Sequence, residues 1–427
     1  MPHTSIAYRT LAGLANALLP VVARGSSKFA RGDRARRAAL GHWRQWAAAH
    51  RDPSRALLWV HAPSVGEGLQ ANAVLHRLRR RHPDWQIVYS FFSPSAERLA
   101  GRQPVDYAGY LPYDTPANVR DLLDLLAPAA LVFTKLDLWP ELATTAAARG
   151  VKLGMIAGTV SAVSRRGHPV ARWLTRPGYQ ALDRIGAVAS PDAERLVHLG
   201  ARPDRITIAG DPRFDSAVER VQAIGPGDPL RRLTAGAPAL VAGSTWPADE
   251  RVVLDAYRVV RGRLPEARLI LVPHEMTDLE SLIASLRQTG WPFGRLTELG
   301  AEVPAVVLVD QVGVLATIYA GARAAYVGGG FGTAGLHSVL EPAAAGVPVI
   351  IGPRWQSSRE AGLLLEVGGA RTVSGPDAAG QLAEVWIEWM DSRASQAAGA
   401  QGLELMTREL GAADRNAALI EDLLARG

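Results

Sequence analysis

The stretch ALLWVHAPSVGEGLQANAVL, residues 56–75, decides the fold class, because a turn of small residues joins a buried strand to a helix. Residues 56–60 form an apolar run typical of a buried strand, and residues 68–75 have helical spacing. The turn carries one carboxylate, Glu67, which packing alone does not require. A carboxylate at the start of a helix is favoured by the helix dipole by about 0.3–1 kcal/mol. The alternative is that Glu67 has a role in function, and other segments of the chain help to decide between these two interpretations.

The same alternation of short apolar runs and helical patterns continues along the chain. Residues 68–81, 249–263 and 278–288 have helical spacing. Further strands are predicted at 86–91, 130–134, 152–157, 187–189, 205–209, 239–242, 268–272, 305–309, 324–327 and 348–351. Alternating strands and helices predict parallel sheets with right-handed crossovers, the doubly wound α/β class.

The density of glycine and proline in AIGPGDP, residues 223–229, predicts a linker between two halves of similar size. We therefore expect an N-terminal helix and basic arm over 1–52, a Rossmann-like domain over 53–222 and a second one over 230–427. A chain of 427 residues suits two to three domains at roughly 100–200 residues each. Paired halves of this kind bind ligands in a cleft at the carboxyl ends of their strands.

The N-terminal segment combines an amphipathic pattern with a local excess of positive charge. Residues 1–52 hold nine Arg or Lys and two Asp, a balance of +7, so the other residues sum to about −1 of the net +6. Apolar residues recur at helical spacing over 4–23, but the uncharged run 10–23 is shorter than the ~20 residues that span a bilayer. The segment is either a monotopic helix on an anionic membrane surface or a helix docked on the protein's own core.

Composition narrows the function classes. The absence of cysteine excludes a disulfide framework and a thiolate zinc site. Nucleic-acid binding is disfavoured because the basic charge is confined to the N-terminal arm.

A glycine-rich turn in the second half suggests a nucleotide site. Residues 328–332, GGGFG, follow the predicted strand 324–327 and precede a predicted helix. Backbone N–H groups in such a turn can approach a phosphate, helped by the dipole of the following helix. Glu341, early in that helix, can accept hydrogen bonds from a ribose diol. The alternative is a tight packing turn.

Loops at three other predicted strand ends offer further polar groups. Ser244 and Thr245 could cap the next helix or hold a phosphate, His274 ends another strand, and Gly313 lies after a third. A single histidine at such a place can also be structural. Opposite them, we expect Glu67 to face the cleft as a general base that deprotonates an acceptor hydroxyl. The glycine-rich turn would then stabilise the departing phosphate.

Together these pieces resemble the transferases of 3-deoxy-D-manno-octulosonic acid (Kdo) that act in lipopolysaccharide synthesis. The matching segments run in order along nearly the whole chain: SVGE (64–67), FFSPS (91–95), LPYDTPANV (111–119), LWP (138–140), AGDPRFD (209–215), AGSTWP (242–247), PHE (273–275), YVGGGFG (326–332) and HSVLEPAAAGVPVIIGP (337–353). The resemblance implies the GT-B fold, two Rossmann-like domains facing a cleft. It also implies an inverting, metal-independent transfer from CMP-Kdo to a lipid A precursor at the cytoplasmic face of the inner membrane, with no cofactor.

The resemblance also assigns roles to individual residues. It implies that Glu67 is the catalytic base. The donor-binding residues it suggests are Ser244, Thr245, His274, Gly313, Gly329, Gly330, Ser338 and Glu341. The acceptor-binding candidates are Ser64, Gly66, Lys135, Arg165 and Arg166.

Three positions depart from the pattern of the family. Many members have two acids before Leu-Trp-Pro, where this chain has Lys135 and Asp137, and many have Asn where it has Ser338. Two other hypotheses therefore remain. One is a GT-B transferase that uses a UDP- or GDP-sugar and another lipid acceptor. The other is a catalytically silent membrane-bound scaffold.

Overall fold

The computed structural model describes residues 3–22, 25, 27–161 and 164–425, which form two compact units. The first unit comprises Met1–Ser216 and Gly411–Gly427, and the second comprises Ala217–Leu410. Each is built on one seven-stranded sheet, and all the described strand pairings are parallel. The predicted class, two Rossmann-like units of the GT-B type, is confirmed.

The sheet of the first unit has the strand order β3-β2-β1-β4-β5-β6-β7. Its strands are β1 Leu57–His61, β2 Gln86–Phe91, β3 Tyr107–Tyr110, β4 Ala130–Thr134, β5 Lys152–Gly158, β6 Arg184–Ala187 and β7 Ile206–Ile208. Its helices are α1 Ile6–Val22, α2 Lys28–His50, α3 Val65–Arg81, α4 Glu97–Ala100, α5 Pro116–Leu126, α6 Pro140–Ala148, α7 Pro169–Ala181 and α8 Ser190–Leu199. The unit boundary falls within α9 Pro212–Gln222.

Strands β1, β2 and β4 are buried along their whole length. Helices cover both faces of a parallel sheet, so these strands read as continuous apolar runs, which is why the sequence identified them. The strand order reverses between β1 and β4, so their carboxyl ends are neighbours. In doubly wound sheets ligands bind at this switch point.

The sheet of the second unit has the order β10-β11-β9-β8-β12-β13-β14. Its strands are β8 Ala239–Thr245, β9 Arg268–Pro273, β10 Phe293–Arg295, β11 Val306–Leu308, β12 Ala324–Val327, β13 Val349–Ile351 and β14 Ala370–Thr372. Its helices are α10 Pro247–Arg263, α11 Leu279–Thr289, α12 Leu315–Tyr319, α13 Leu340–Ala344, α14 Arg359–Val367, α15 Ala378–Met390 and α16 Ser392–Glu409. Strands β8 and β12 pair at its centre, so the turns after them are adjacent.

The segment expected to be a basic arm is mostly a core helix. In α2, Trp43 is fully buried, Ala39 and Trp46 join the same apolar core, and the Trp43 indole donates to the Tyr110 carbonyl at 2.8 Å. Burial of large aromatic side chains fixes the helix against the sheet edge. Several cations of the segment also contact the protein itself: Arg9 with Glu141, Arg36 with Tyr113, Arg37 with Asp33, Arg44 with Asp121 and Arg51 with Gln86. Residues 28–50 therefore differ from the expected arm.

The last helix belongs to the first unit rather than to the expected second domain over 230–427. Helix α17 Ala412–Ala425 buries Ile420 and Leu423 in the core beneath β1 and β4. Its close approach requires small residues in the sheet: a Cβ on Gly154 would lie 2.6 Å from Leu423, and one on Gly186 would lie 2.6 Å from Asn416. The predicted boundary missed this return of the chain. The amphipathic pattern of the last helix shows that one face is buried, but it does not show which sheet that face packs against.

Helix α1 contacts the first unit through its polar side. The Tyr8 hydroxyl donates to Asp114 at 2.7 Å, and Arg9 pairs with Glu141 at 2.8 Å. Leu11, Leu14 and Leu18 are exposed on another side of the helix. Within the described part of the chain no helix combines the length and apolar character needed to cross a bilayer. Arg24 of the predicted basic cluster lies outside the described residues.

Candidate functional site

In the first unit, the turn after β1 places Glu67 in the first turn of α3, at the switch point of the sheet. Ser64 is the N-cap residue, but its hydroxyl accepts from no backbone N–H of the helix and instead donates to the Glu67 carboxylate. The Glu67 side chain is 15% exposed. The adjoining Gly66 is exposed, and a Cβ on it would meet nothing within 4 Å. The turn therefore has open space directly beside a partly buried carboxylate.

Lys135, directly after β4, is the cation that pairs with Glu67. Its Nζ lies 3.1 Å from the second carboxylate oxygen. The Lys135 backbone has φ +64°, and its N–H donates to the Ile156 carbonyl at 2.8 Å. A non-glycine residue in this left-handed conformation costs about 1–3 kcal/mol and persists only where its surroundings hold it. The strained residue thus lies at the switch point, in contact with the candidate base.

Asp137, two residues farther on, is held by three side chains. Its carboxylate accepts from Arg166 at 3.1 Å and from the Trp139 indole at 3.2 Å, and it lies 3.3 Å from His61 Nε2. His61 is fully buried at the end of β1. Burial raises the pKa of Asp137, but the contacts with His61 and Arg166 outweigh it, so the pKa lies below its ordinary range. Asp137 is therefore an ionised structural carboxylate.

The acceptor candidates separate into paired and exposed groups. Arg166 is engaged with Asp137, and Lys135 is engaged with Glu67. Arg165, in a short 3-10 helix beside them, is exposed. The described structure therefore brings Ser64, Glu67 and Lys135 into direct contact, with Arg166 linked to the same loop through Asp137.

The environment of Glu67 favours its ionised form. Burial raises the pKa of Glu67, but the Lys135 ammonium and the Ser64 hydroxyl lower it by more, and the net pKa lies below its usual value. The carboxylate is consequently ionised near neutral pH, which is the form that can accept a proton. A hydroxyl that binds in the adjoining open space could donate that proton.

In the second unit, the glycine-rich turn after β12 is shaped mainly by close backbone packing. A Cβ on Gly329 would lie 2.0 Å from the Gly335 carbonyl oxygen, and one on Gly330 would lie 2.6 Å from Gly352. Gly329 also has φ +95°, which an L side chain rarely adopts. The packing alternative for these glycines is thus supported by the geometry.

Asp249, in the first turn of α10, fixes that turn from below. It is fully buried and accepts from Gly329 N–H at 2.9 Å, from the Trp246 N–H at 3.0 Å and from the Tyr326 hydroxyl at 2.7 Å. The Phe331 N–H is a longer fourth donor at 3.4 Å. Burial, and then the Asp249 charge, raise the pKa of Tyr326. The Gly329 N–H is thus directed at a protein carboxylate, which differs from the expectation that it approaches a phosphate.

The turn after β8 lies beside the glycine-rich turn. Ser244 has φ +53°, a second strained non-glycine residue at a strand end. Thr245 is buried, and its hydroxyl donates to Glu250 at 3.2 Å. The predicted strand ended at residue 242, whereas β8 continues to Thr245, so both residues belong to the strand end and not to a loop.

Three rings form a cluster at the carboxyl ends of β8 and β9. The centroids of His274 and His337 are 4.1 Å apart, and Trp246 lies 4.9 Å from His274. The Trp246 indole donates to His337 Nε2 at 3.0 Å, so a neutral His337 carries its proton on Nδ1. Burial, and then His274, lower the pKa of His337 to about 4. At neutral pH His337 is therefore uncharged, and its Nδ1–H remains a donor in the ring cluster.

The remaining donor candidates lie in separate segments of the second unit. Glu341 is the second residue of the five-residue helix α13 and forms an ion pair with Arg220. Ser338 is exposed just before that helix, and its hydroxyl accepts from the Leu340 N–H at 3.4 Å. Gly313 has φ +87° in the loop after β11. A helix as short as α13 has little dipole to add, unlike the longer helix expected from the sequence.

Sequence reasoning did not assign a role to Asp249, His337 or Trp246, nor to His61 on the first sheet. Trp246 belongs to the AGSTWP motif, and His337 begins the motif over residues 337–353. Membership of these motifs was the signal in the sequence that could have identified both residues. Among the described residues, no group of three or more His, Asp or Glu side chains is arranged to hold a metal ion.

Comparison with known proteins gives a consistent result. Residues 35–216 match the family described as 3-deoxy-D-manno-octulosonic-acid transferase (kdotransferase). The 3-deoxy-D-manno-octulosonic acid transferase of Bordetella pertussis is 30% identical over 352 residues, which cover 77% of this chain and 80% of that protein. That of Haemophilus influenzae is 27% identical over 380 residues, 86% of this chain and 87% of its own. In fold, the UDP-GlcNAc 2-epimerase of Neisseria meningitidis bound to UDP-GlcNAc is similar with a TM-score of 0.60 at 11% identity, covering 87% of this chain and 100% of that one.

Proposed function

The chain belongs to the 3-deoxy-D-manno-octulosonic acid transferase family and is a glycosyltransferase, and from this premise we propose the following reaction. The enzyme transfers Kdo from CMP-Kdo to a lipid A precursor in lipopolysaccharide biosynthesis. Similarity to curated transferases over most of the chain supports the sugar and the pathway. The identity of the nucleotide, CMP, and of the acceptor, a lipid A precursor, is proposed in addition.

Glu67 acts as the general base in this proposal. It takes the proton of the acceptor hydroxyl, the acceptor oxygen bonds to the anomeric carbon of Kdo, and the bond from that carbon to the CMP phosphate breaks with its electron pair leaving on the phosphate. Attack from the face opposite the leaving group inverts the anomeric centre. The observation that carries this role is a partly buried carboxylate at the switch point, paired with Lys135 and beside exposed Gly66.

The second unit holds the nucleotide in this proposal. The ring cluster Trp246, His274 and His337 suits a flat base or a phosphate that accepts from an N–H group. Glu341 suits the ribose hydroxyls, and Ser244, Thr245, Gly313 and Ser338 remain donor-site candidates. Gly329 and Gly330 serve by shaping the turn. Ser64, Gly66, Lys135, Arg165 and Arg166 are the acceptor-side candidates, and the reaction needs no metal.

The enzyme works at an anionic membrane surface, on its cytoplasmic face, in the same proposal. Helix α1 is held to the first unit by Tyr8 and Arg9 while Leu11, Leu14 and Leu18 remain exposed. A helix that exposes its apolar face while its polar side contacts protein suits the headgroup boundary of a bilayer. This location would give the enzyme access to a lipid acceptor.

The decisive experiment measures Kdo transfer from CMP-Kdo to a lipid A precursor by the purified protein. We expect Glu67→Gln to lower kcat about 10²–10⁴-fold, the usual contribution of a general base. CMP affinity by calorimetry should stay unchanged. Glu194→Gln, at an exposed glutamate of α8, is the matched control and should keep full activity.

Three results would contradict the proposal. Full turnover by Glu67→Gln would remove the base assignment. Tighter binding of UDP or GDP than of CMP would point to a different sugar nucleotide. A protein that binds no nucleotide and transfers no sugar would support the silent-scaffold alternative.

A further inference from the structure

We propose that Lys135 is the positioning residue of the base: its ammonium holds the Glu67 carboxylate in one orientation, and binding the acceptor is not its main role. The inference rests on the proposed role of Glu67 and deepens it. Lys135 itself makes no bond to the sugar and transfers no proton.

The first argument is that both oxygens of the carboxylate are occupied by neighbours in the same unit. Lys135 Nζ contacts one oxygen at 3.1 Å, and the Ser64 hydroxyl donates to the other. Two contacts on opposite oxygens restrict the rotation of a carboxylate that would otherwise sample several rotamers. A base that is oriented before the substrate arrives avoids that ordering cost during the reaction.

The second argument is that the position of Lys135 is itself fixed by its loop. The Lys135 N–H is bonded to the Ile156 carbonyl of β5, and its φ of +64° turns the chain away from the strand direction. Two residues later, Asp137 is tied to Arg166 and Trp139. The ammonium is therefore carried by a segment anchored on both sides, as a positioning group requires.

The third argument is that Lys135 supplies the positive charge beside Glu67. Tyr89 on β2 also lies near the carboxylate, but burial, and then Glu67 itself, raise the pKa of that phenol, so it stays neutral. The Ser64 hydroxyl is neutral as well. With Lys135 removed, burial of Glu67 would act against its ionised form without an opposing cation. The lysine thus affects both the orientation and the charge of the base.

The test compares Lys135→Met, Lys135→Gln and Lys135→Arg with Lys152→Met as matched control. Lys152 begins β5 at the opposite end of the sheet, so the same substitution there leaves the switch point intact. We expect Lys135→Met and Lys135→Gln to lower kcat about 10–100-fold with less than about a twofold change in acceptor KM. Lys135→Arg should restore most of kcat, because it keeps the charge.

A second readout does not depend on activity. In protein labelled with ¹³C at glutamate carboxyls, the resonance of Glu67 is the one missing from Glu67→Gln, and its titration gives the pKa of the base. We expect that pKa to rise in Lys135→Met and Lys135→Gln. The acid limb of kcat/KM should move to higher pH with it, because Glu67 must be ionised to accept a proton.

An unchanged pKa of Glu67 in the two uncharged variants would overturn the inference. So would a rise in acceptor KM at unchanged kcat, which would make Lys135 an acceptor ligand. If Lys135→Met does not fold, the test relies on Lys135→Gln, because glutamine keeps a hydrogen-bond donor. Failure of the base proposal itself gives a separate result, full transfer by Glu67→Gln, whatever the Lys135 variants do.

Discussion

Two carboxylates near the strand ends have different roles because their surroundings differ. Glu67 keeps part of its surface open and is paired with one lysine, so it can still receive a proton. Asp249 has no exposure and is bonded by two well-placed backbone N–H groups and the Tyr326 hydroxyl. A fully buried carboxylate that is held by backbone N–H groups serves the structure of the turn.

Asp249→Ala should destabilise the second unit and weaken nucleotide binding together. The substitution leaves the Gly329 and Trp246 N–H groups and the Tyr326 hydroxyl without their acceptor, at about 1–3 kcal/mol for each group that stays buried. We expect a clear loss of thermal stability and at least about a tenfold lower CMP affinity, measured by denaturation and calorimetry. Asp255→Ala, at an exposed aspartate of the same helix, should change neither.

At this scale the sequence predicted the candidate base at the end of a central strand. It did not predict the residues that hold the strand-end turns in place. Glu67 stood out because a buried run led directly to a lone acid. Asp249 looked like an ordinary acid in the first turn of a helix, where the dipole alone explains it. Lys135 was identified as a departure, but its contact with Glu67 depends on the register of β1 beside β4, which no single segment shows.

At the scale of elements, most inner strands and the edge strand β7 were predicted, whereas the other three edge strands were missed. The predicted boundaries of 86–91, 130–134 and 324–327 agree with β2, β4 and β12. The three missed strands, β3, β10 and β14, are all sheet edges of three or four residues. Edge strands pair on one side only and bury less surface, so they lack the continuous apolar run that marks a central parallel strand. The strand predicted at 187–189 was misplaced, because β6 occupies Arg184–Ala187.

Helix α1 allows a direct test of membrane attachment. Replacing Leu11, Leu14 and Leu18 together with Ser removes three exposed apolar side chains and spares the Tyr8 and Arg9 contacts. We expect binding to anionic lipid vesicles, measured by co-sedimentation, to fall at least about tenfold, since each buried apolar side chain contributes about 1.5–3 kcal/mol. Stability should hardly change.

The control for this test is the triple replacement of Val197, Val259 and Leu403 with Ser. These side chains are also exposed and apolar but lie on α8, α10 and α16. Equal loss of vesicle binding by both triple variants would contradict a specific role of α1. Unchanged binding by the α1 variant would contradict it as well.

At the scale of the whole molecule, the two-unit plan was predictable, whereas the path of the chain was not. Composition showed a linker near residues 223–229, but the unit boundary falls earlier, between Ser216 and Ala217. The chain then returns to the first unit at Gly411. Helical periodicity places an apolar face on residues 412–425 without telling which sheet it covers.

Substitutions in α17 should therefore destabilise the first unit although they lie at the far end of the chain. Ile420→Ala or Leu423→Ala removes a buried side chain from the core beneath β1 and β4, at about 2–5 kcal/mol each. We expect faster proteolysis of first-unit segments, followed by mass spectrometry of the fragments, while second-unit fragments persist. Leu424→Ala, at a partly buried neighbour, should have a smaller effect. Preferential cleavage of the second unit would contradict the assignment of α17.

The return of the chain in α17 has a consequence for biosynthesis. Residues 217–410 are continuous, so they can reach their final form as soon as they leave the ribosome. The first unit, although translated earlier, lacks helix α17 over its sheet until residues 412–425 have been synthesised. The apolar surface that α17 covers stays open while the second unit is synthesised, so the first unit can complete its core only after the second unit has been made.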